Sequence, residues 1–109
     1  MKILLLIISL TLLMGCTTEE DQSDSIHIVS QDASEVLIEG LVIYVHEHAL
    51  VKDVIARITS DDGSHQNYAG VTNGRTLKRT DFFNEHEYVM VISESGVFKA
   101  YYEIRFFTP

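Results

Sequence analysis

His46 and His48, one residue apart, are the pair in this chain with the spacing of metal ligands. On a strand, residues i and i+2 share a face, so both imidazoles could reach one ion while Glu47 points away. His27, His65 and His86 are the further imidazoles such a site would recruit. A polar strand end running into a loop accounts for the same residues, so no metal is assigned and His46 and His48 stand only as candidates. Asp61-Asp62-Gly63 resembles half a calcium loop, but the EF-hand spacing is absent and a turn explains it. Asp81, Glu85 and Glu87 gather around His86 in a pattern open to acid–base chemistry, and exposed loop acids explain it better. The chain carries no nucleophile elbow, Gly-rich phosphate loop or zinc-protease motif. No catalytic residue is assigned, no enzyme is expected, and no cofactor is implied.

The single cysteine, Cys16, ends the stretch "LLMGC" and precedes the acidic run "TTEEDQSDS". A nucleophilic thiol needs a partner His or acid and a folded pocket. Between an apolar leader and an acidic linker it has neither. The leader itself has Lys2 as a short positive region and then "ILLLIISLTLL" over 3–13. At about 1.5 Å per helical residue that run reaches roughly 16 Å, half a hydrocarbon core and right for a secretory signal. Its end, Leu13-Met14-Gly15-Cys16, resembles the lipobox of bacterial lipoproteins. The resemblance implies that the signal 1–15 is removed and that Cys16 carries a diacylglyceryl group, often with a further acyl chain on its new amine. Each buried CH₂ contributes about 0.8 kcal/mol, and a single chain binds only marginally, so several chains on one residue make the anchor durable. Thr17 after the Cys, rather than Asp, implies the outer membrane in a Gram-negative host.

With the leader gone, 94 residues remain, carrying seven basic and sixteen acidic side chains for a charge of −9 with His neutral. That balance argues against nucleic acid, whose phosphates need Lys and Arg, and against a polybasic grip on anionic lipid. It favours a cationic partner electrostatically. No disulfide can form within a chain with one Cys. A domain of this size buries only about 60–65% of its unfolded surface, so its apolar core must hold it.

Residues 16–25 have too little apolar content to offset their ordering entropy and read as a lipidated Cys plus a flexible acidic tether. The domain is expected over 26–109, with Ile26–Val29 as a first short strand. "VLIEGLVIYV", 36–45, suits a pleated half-buried surface, with Gly40 at a bulge or bend. "KDVIARITS", 52–60, alternates, and a strand is expected there. Asp61-Asp62-Gly63-Ser64 is a turn signal, "HQNYAGVT" a strand, and Asn73-Gly74 the marker of a type I′ hairpin whose outgoing strand is "RTLKRT".

The clearest element is the last hairpin. In 87–93, Tyr88, Met90 and Ile92 share one face while Val89 and Val91 share the other. After Glu94-Ser95-Gly96, residues Phe98, Ala100, Tyr102, Ile104 and Phe106 should face the core. Lys99, Tyr101, Glu103, Arg105 and Phe107 should face solvent or a partner. Six or seven such strands and no long amphipathic helix predict an all-β fold, a small antiparallel β-sandwich of immunoglobulin-like or transthyretin-like type. The segments "DVIARITSDDG", "AGVTNGR", "EHEYVMVISESG" and "FKAYYEIRF" resemble, in order, the carboxypeptidase regulatory-like and transthyretin-like β-sandwich modules. That resemblance implies a non-catalytic module used for positioning or binding.

The expectation is therefore a membrane-anchored envelope protein that binds or assembles with an envelope partner through Lys99, Tyr101, Glu103, Arg105 and Phe107. The alternatives are a metal-binding or enzymatic lipoprotein using His46 and His48, and an inhibitor of a cationic protein.

Overall fold

The computed structural model describes residues 22–108. The leader, Cys16 and most of the acidic tether lie outside the described residues, so the lipidation expected at Cys16 has no structural counterpart here.

Eight strands and one short helix follow in the order β1 (Ile28–Ser30), β2 (Val36–Glu39), β3 (Val42–Val45), α1 (Val51–Ala56), β4 (Ile58–Ser60), β5 (Asn67–Thr72), β6 (Arg75–Thr76), β7 (Tyr88–Ile92) and β8 (Lys99–Phe106). Six of them form one sheet, ordered β2-β3-β8-β7-β5-β6, and β1 pairs with β4 in a second. The fold is a small all-β sandwich. All its pairings are antiparallel except β3 with β8, which run parallel with Ile43 opposite Ile104. The crossover from β3 to β5 makes this possible. It carries α1 and β4 over the inner face and delivers the chain to the far side of β8.

β8 sits mid-sheet because its alternation lets one row of side chains be wholly apolar. Ala100, Tyr102 and Ile104 point inward and are buried, as expected; Phe106 is half-buried against them, while Phe98, expected in the same row, lies in the turn before β8 and is exposed. Val89 and Val91 of β7 and Ile43 and Val45 of β3 complete the inner row. Ile28, Val51, Val54, Ile58 and Phe83 cover it from the other layer. The hairpin marks behave as their chemistry requires. Asn73 and Gly74 both take positive φ, 47° and 78°, which a type I′ turn demands.

Two local expectations are corrected. Residues 51–56 form a helix, not the first half of a strand. Val51 and Val54, three apart, are both buried while Ala56 is exposed, so the apolar period here is helical and not two. Only Ile58–Ser60 is extended. The bend expected at Gly40 is there: at φ 59° it turns the chain between β2 and β3 and makes the long apolar run a hairpin. β6 is only two residues long: past Thr76 the Leu77 N–H still bonds the facing Gly70 carbonyl at 2.7 Å, in the hairpin register, and the expected strand ends there.

Candidate recognition surface

The outer face of the six-stranded sheet has no layer over it among the described residues. Its side chains alternate with the buried inner row, so each strand contributes every second residue. Register decides which of them meet. Tyr88 lies opposite Glu103, Met90 opposite Tyr101, and Ile92 opposite Lys99. On the other side of β7, Val71 lies opposite Tyr88 and Ala69 opposite Met90. The result is an apolar and aromatic centre with charged residues around it. Tyr101 is 51% exposed and Tyr88 39%. Their rings meet edge to face, 6.4 Å apart at 89°, the geometry that aromatic quadrupoles favour.

A groove of about 660 Å³ runs beside this pair, lined chiefly by Val71, Arg75, Thr76, Tyr88, Met90 and Tyr101. Its size is within the range of ligand sites. A smaller hollow of about 350 Å³ lies on the β2 side of the same face, between Leu37, Glu39, Tyr44 and Phe107.

Each residue expected on the partner surface can be placed. Lys99 opens β8 and is exposed. Glu103 is half-buried and accepts a 2.7 Å hydrogen bond from His86 Nδ1, while Arg105 Nε lies 3.5 Å from its other oxygen. The His86 hydrogen bond, with Arg105 adding to it, holds the Glu103 carboxyl below the usual carboxylate range. Phe107, just past β8, lies on the same face but is half-buried. Its ring stacks on Tyr44 at 6.3 Å and tilts against His46 at 4.7 Å. The structure thus brings Tyr101 to the groove and Phe107 to the second hollow. Tyr88, Met90 and Val71 join the surface without having been named for it.

His46 and His48 lie beyond the end of β3, where strand alternation no longer applies. His46 Nε2 donates to the Ser34 carbonyl at 2.9 Å, and its ring leans on Phe107. His48 takes a left-handed backbone, φ 70°, and its ring meets Phe82 edge-on at 5.7 Å. Both line a polar hollow of about 250 Å³ with Glu35, Glu47, Asp53 and Arg57. Among the described residues no three His, Cys, Asp or Glu side chains converge as a metal site. His86 is engaged with Glu103. The acids around it are also occupied: Glu87 accepts the Asn84 N–H at 2.6 Å, Asp81 the Lys78 N–H at 2.8 Å, and Glu85 the Phe106 N–H at 3.1 Å. Their work is to hold a loop on the sheet.

Asp61 and Asp62 form the expected turn with Gly63 at φ 78°. They also receive the start of the domain: Ser25 Oγ donates to Asp61 and Ser23 Oγ to Asp62. The Ser23 hydroxyl, then Ser64, pulls the Asp62 carboxyl far below its ordinary range.

No protein-family model, no curated protein and no solved structure matches the chain.

Proposed function

We propose that the protein is a lipid-anchored, non-catalytic binding module of the bacterial cell envelope, recognising an envelope partner through the outer face of its six-stranded sheet. Three features of the chain support the reading. The leader and lipobox-like Leu13-Met14-Gly15-Cys16 supply an anchor, with Thr17 favouring the outer membrane. The acidic stretch after Cys16 supplies reach, and the sheet supplies a surface. The observation that carries the reading is the exposed Tyr88–Tyr101 pair beside an open groove. Aromatic rings give large contact area at low entropy cost and dominate protein interfaces. The carboxylates that sequence offered for acid–base work, Asp81, Glu85 and Glu87, each accept a backbone N–H, which favours binding over catalysis.

The test has two arms on protein made in its host. Mass spectrometry of the mature protein should show a diacylglyceryl thioether at Cys16 and no residues 1–15. A photo-crosslinking residue placed at Tyr101 should capture a defined envelope protein, while one placed at Lys52 on α1 should not. A free thiol at Cys16 with Met1 retained removes the anchoring claim, and equal capture from both positions removes the surface claim.

A further inference from the structure

The turn between β7 and β8 leaves two large apolar side chains in water, Val97 at 71% exposure and Phe98 at 49%. Their backbone is already satisfied. The Val97 N–H donates to Ser95 Oγ and the Phe98 N–H to Ser93 Oγ. The Gly96 N–H donates to the Ser93 carbonyl, and the Ser95 N–H to the Ser23 carbonyl. Four successive N–H groups, Ser95 to Phe98, are thus bonded within the protein. Such a backbone can approach an apolar phase without stranding its donors. The same turn receives the chain that leads from Cys16. Besides the Ser95 bond, the Ser23 N–H donates to Glu94 at 3.2 Å, and Ser95 Oγ donates to Asp24. Cys16 and Ser23 are seven residues apart, so at most about 25 Å separates them at about 3.6 Å per residue. β8, eight residues and about 23 Å long, carries the opposite end of the sheet away from this point.

We infer that the β7–β8 turn enters the lipid surface to which Cys16 tethers the domain, with Val97 and Phe98 in the boundary between headgroups and acyl chains. This rests on the lipid anchor proposed above and gives the anchored domain an orientation. Two side chains bind a bilayer too weakly to hold a domain by themselves. A tether makes their insertion an intramolecular event at high effective concentration. The charge around the turn selects the kind of surface. Glu94 and Asp24 sit at its base, and Asp61 and Asp62 accept from Ser25 and Ser23 beside them. Lys99 is the nearest cation in sequence. Anionic lipid would repel that cluster, so the turn suits a zwitterionic surface. The consequence for function is geometric. The strands of the large sheet stand on the membrane, and the outer face with Tyr88 and Tyr101 turns sideways, open to a partner. Phe82, exposed at 54%, pairs with Leu50 past the end of β3 that meets Phe106. It therefore lies at the far end of β8 and stays in water.

The chain has no Trp, so one introduced indole reports a single site. Val97→Trp and Phe82→Trp are each purified from the host and reconstituted in phosphatidylcholine vesicles, with or without bromine on the acyl chains. Brominated chains should quench the emission of Val97→Trp at least twofold and leave that of Phe82→Trp unchanged. Adding Phe98→Asp to Val97→Trp should remove most of the quenching, with Tm on the same sample showing that the domain is folded. If that variant does not fold, the comparison of Val97→Trp with Phe82→Trp still decides. Equal quenching at both positions, or none at Val97→Trp, overturns the inference, as does quenching that survives Phe98→Asp in folded protein. A photo-crosslinking residue at Val97 in cells should label lipid. A protein labelled in its place would make the turn a protein contact and overturn the inference as well. Mass spectrometry of the same samples separates this from the anchor. A lipidated Cys16 with unquenched Val97→Trp leaves the anchor standing, and an unlipidated Cys16 removes both.

Discussion

Gly70 shows how tightly one position can be set by its neighbours. Its backbone φ is ordinary, so its constraint is space and not conformation. A Cβ there would stand 3.1 Å from the Phe83 ring and 3.1 Å from Val51 Cγ1, both nearly inaccessible to solvent. Neither neighbour is free to retreat, because Phe83 is fixed by its N–H to the Ala49 carbonyl and Val51 by its N–H to the Asp81 carbonyl. Gly70→Ala is expected to lower stability by about 1–3 kcal/mol through overpacking, read as a lower urea midpoint at unchanged slope. Adding Phe83→Leu should cost less in that background than alone, since the smaller side chain makes room. Additive losses would contradict the packing argument. Glu103 has a different constraint, which pH exposes. Its folded pKa lies below the ordinary 4.5, chiefly because of the His86 hydrogen bond. A depressed carboxylate contributes stability above its unfolded pKa and loses it as pH falls through the folded value. The advantage of the native protein over Glu103→Gln should therefore be fully present above about pH 5 and shrink on acidification below the ordinary 4.5. A difference that stays constant from pH 7 to pH 3 would show that the carboxylate is not held by charge.

At the level of elements, the terminal hairpin was readable and the helix was not, for one physical reason. β8 alternates so that only one of its faces is wholly apolar, and its inner row could be assigned from sequence; β7 is apolar on both faces, and its inner row follows only from its pairing with β8. In 50–58 the apolar residues Val51, Val54, Ile55 and Ile58 fit a helical stripe, while Val54, Ala56 and Ile58 fit a strand. β-Branched residues tilt that tie toward a strand. The tie is broken by tertiary contacts that no local pattern contains: the Val51 and Lys52 N–H groups bond to the Asp81 and Arg79 carbonyls, and α1 lies over β5. The two readings differ at Ala56, which a strand would bury beside Val54 and the helix exposes. Ala56→Lys should change stability by no more than about 0.5 kcal/mol, as at an ordinary surface position. Val51→Ser, which puts a hydroxyl in the core, should cost about 2 kcal/mol or more. Thermal unfolding of the two variants separates the cases, and a severe loss from Ala56→Lys would argue for the strand. The recognition surface was legible to a similar degree. Alternation in β8 exposed Tyr101 and Phe107, but joining Tyr88, Met90 and Val71 to them needs the β7–β8 and β5–β7 registers. Those are set by a turn geometry and a long-range pairing.

Across the whole molecule, the division between the two faces of the large sheet depends on how the first residues of the domain are held. The segment leading from Cys16 reaches the domain at Ser23, whose N–H donates to Glu94 and whose carbonyl accepts from Ser95. From there it runs along the inner side of the sheet, where the Tyr102 hydroxyl donates to the Ile26 carbonyl at 3.1 Å. Burial raises the Tyr102 pKa, which keeps that hydroxyl protonated and able to donate well above neutral pH. β1 then pairs with β4 and closes the inner layer. One hydroxyl from the central strand thus holds the chain just ahead of β1 on the sandwich. Tyr102→Phe removes the donor, keeps the ring and strands the Ile26 carbonyl, so it should cost about 1 kcal/mol globally. Its larger effect should be local: hydrogen exchange at Val29 and Thr59, the facing pair at a hydrogen-bonded position of β1–β4, should accelerate more than exchange at Val89 or Val91 in mid-sheet. Sub-global opening of this kind follows the weakest attached unit and not the core. Equal acceleration at all four amides would mean that β1 unfolds only with the whole domain, as an inseparable part of the core.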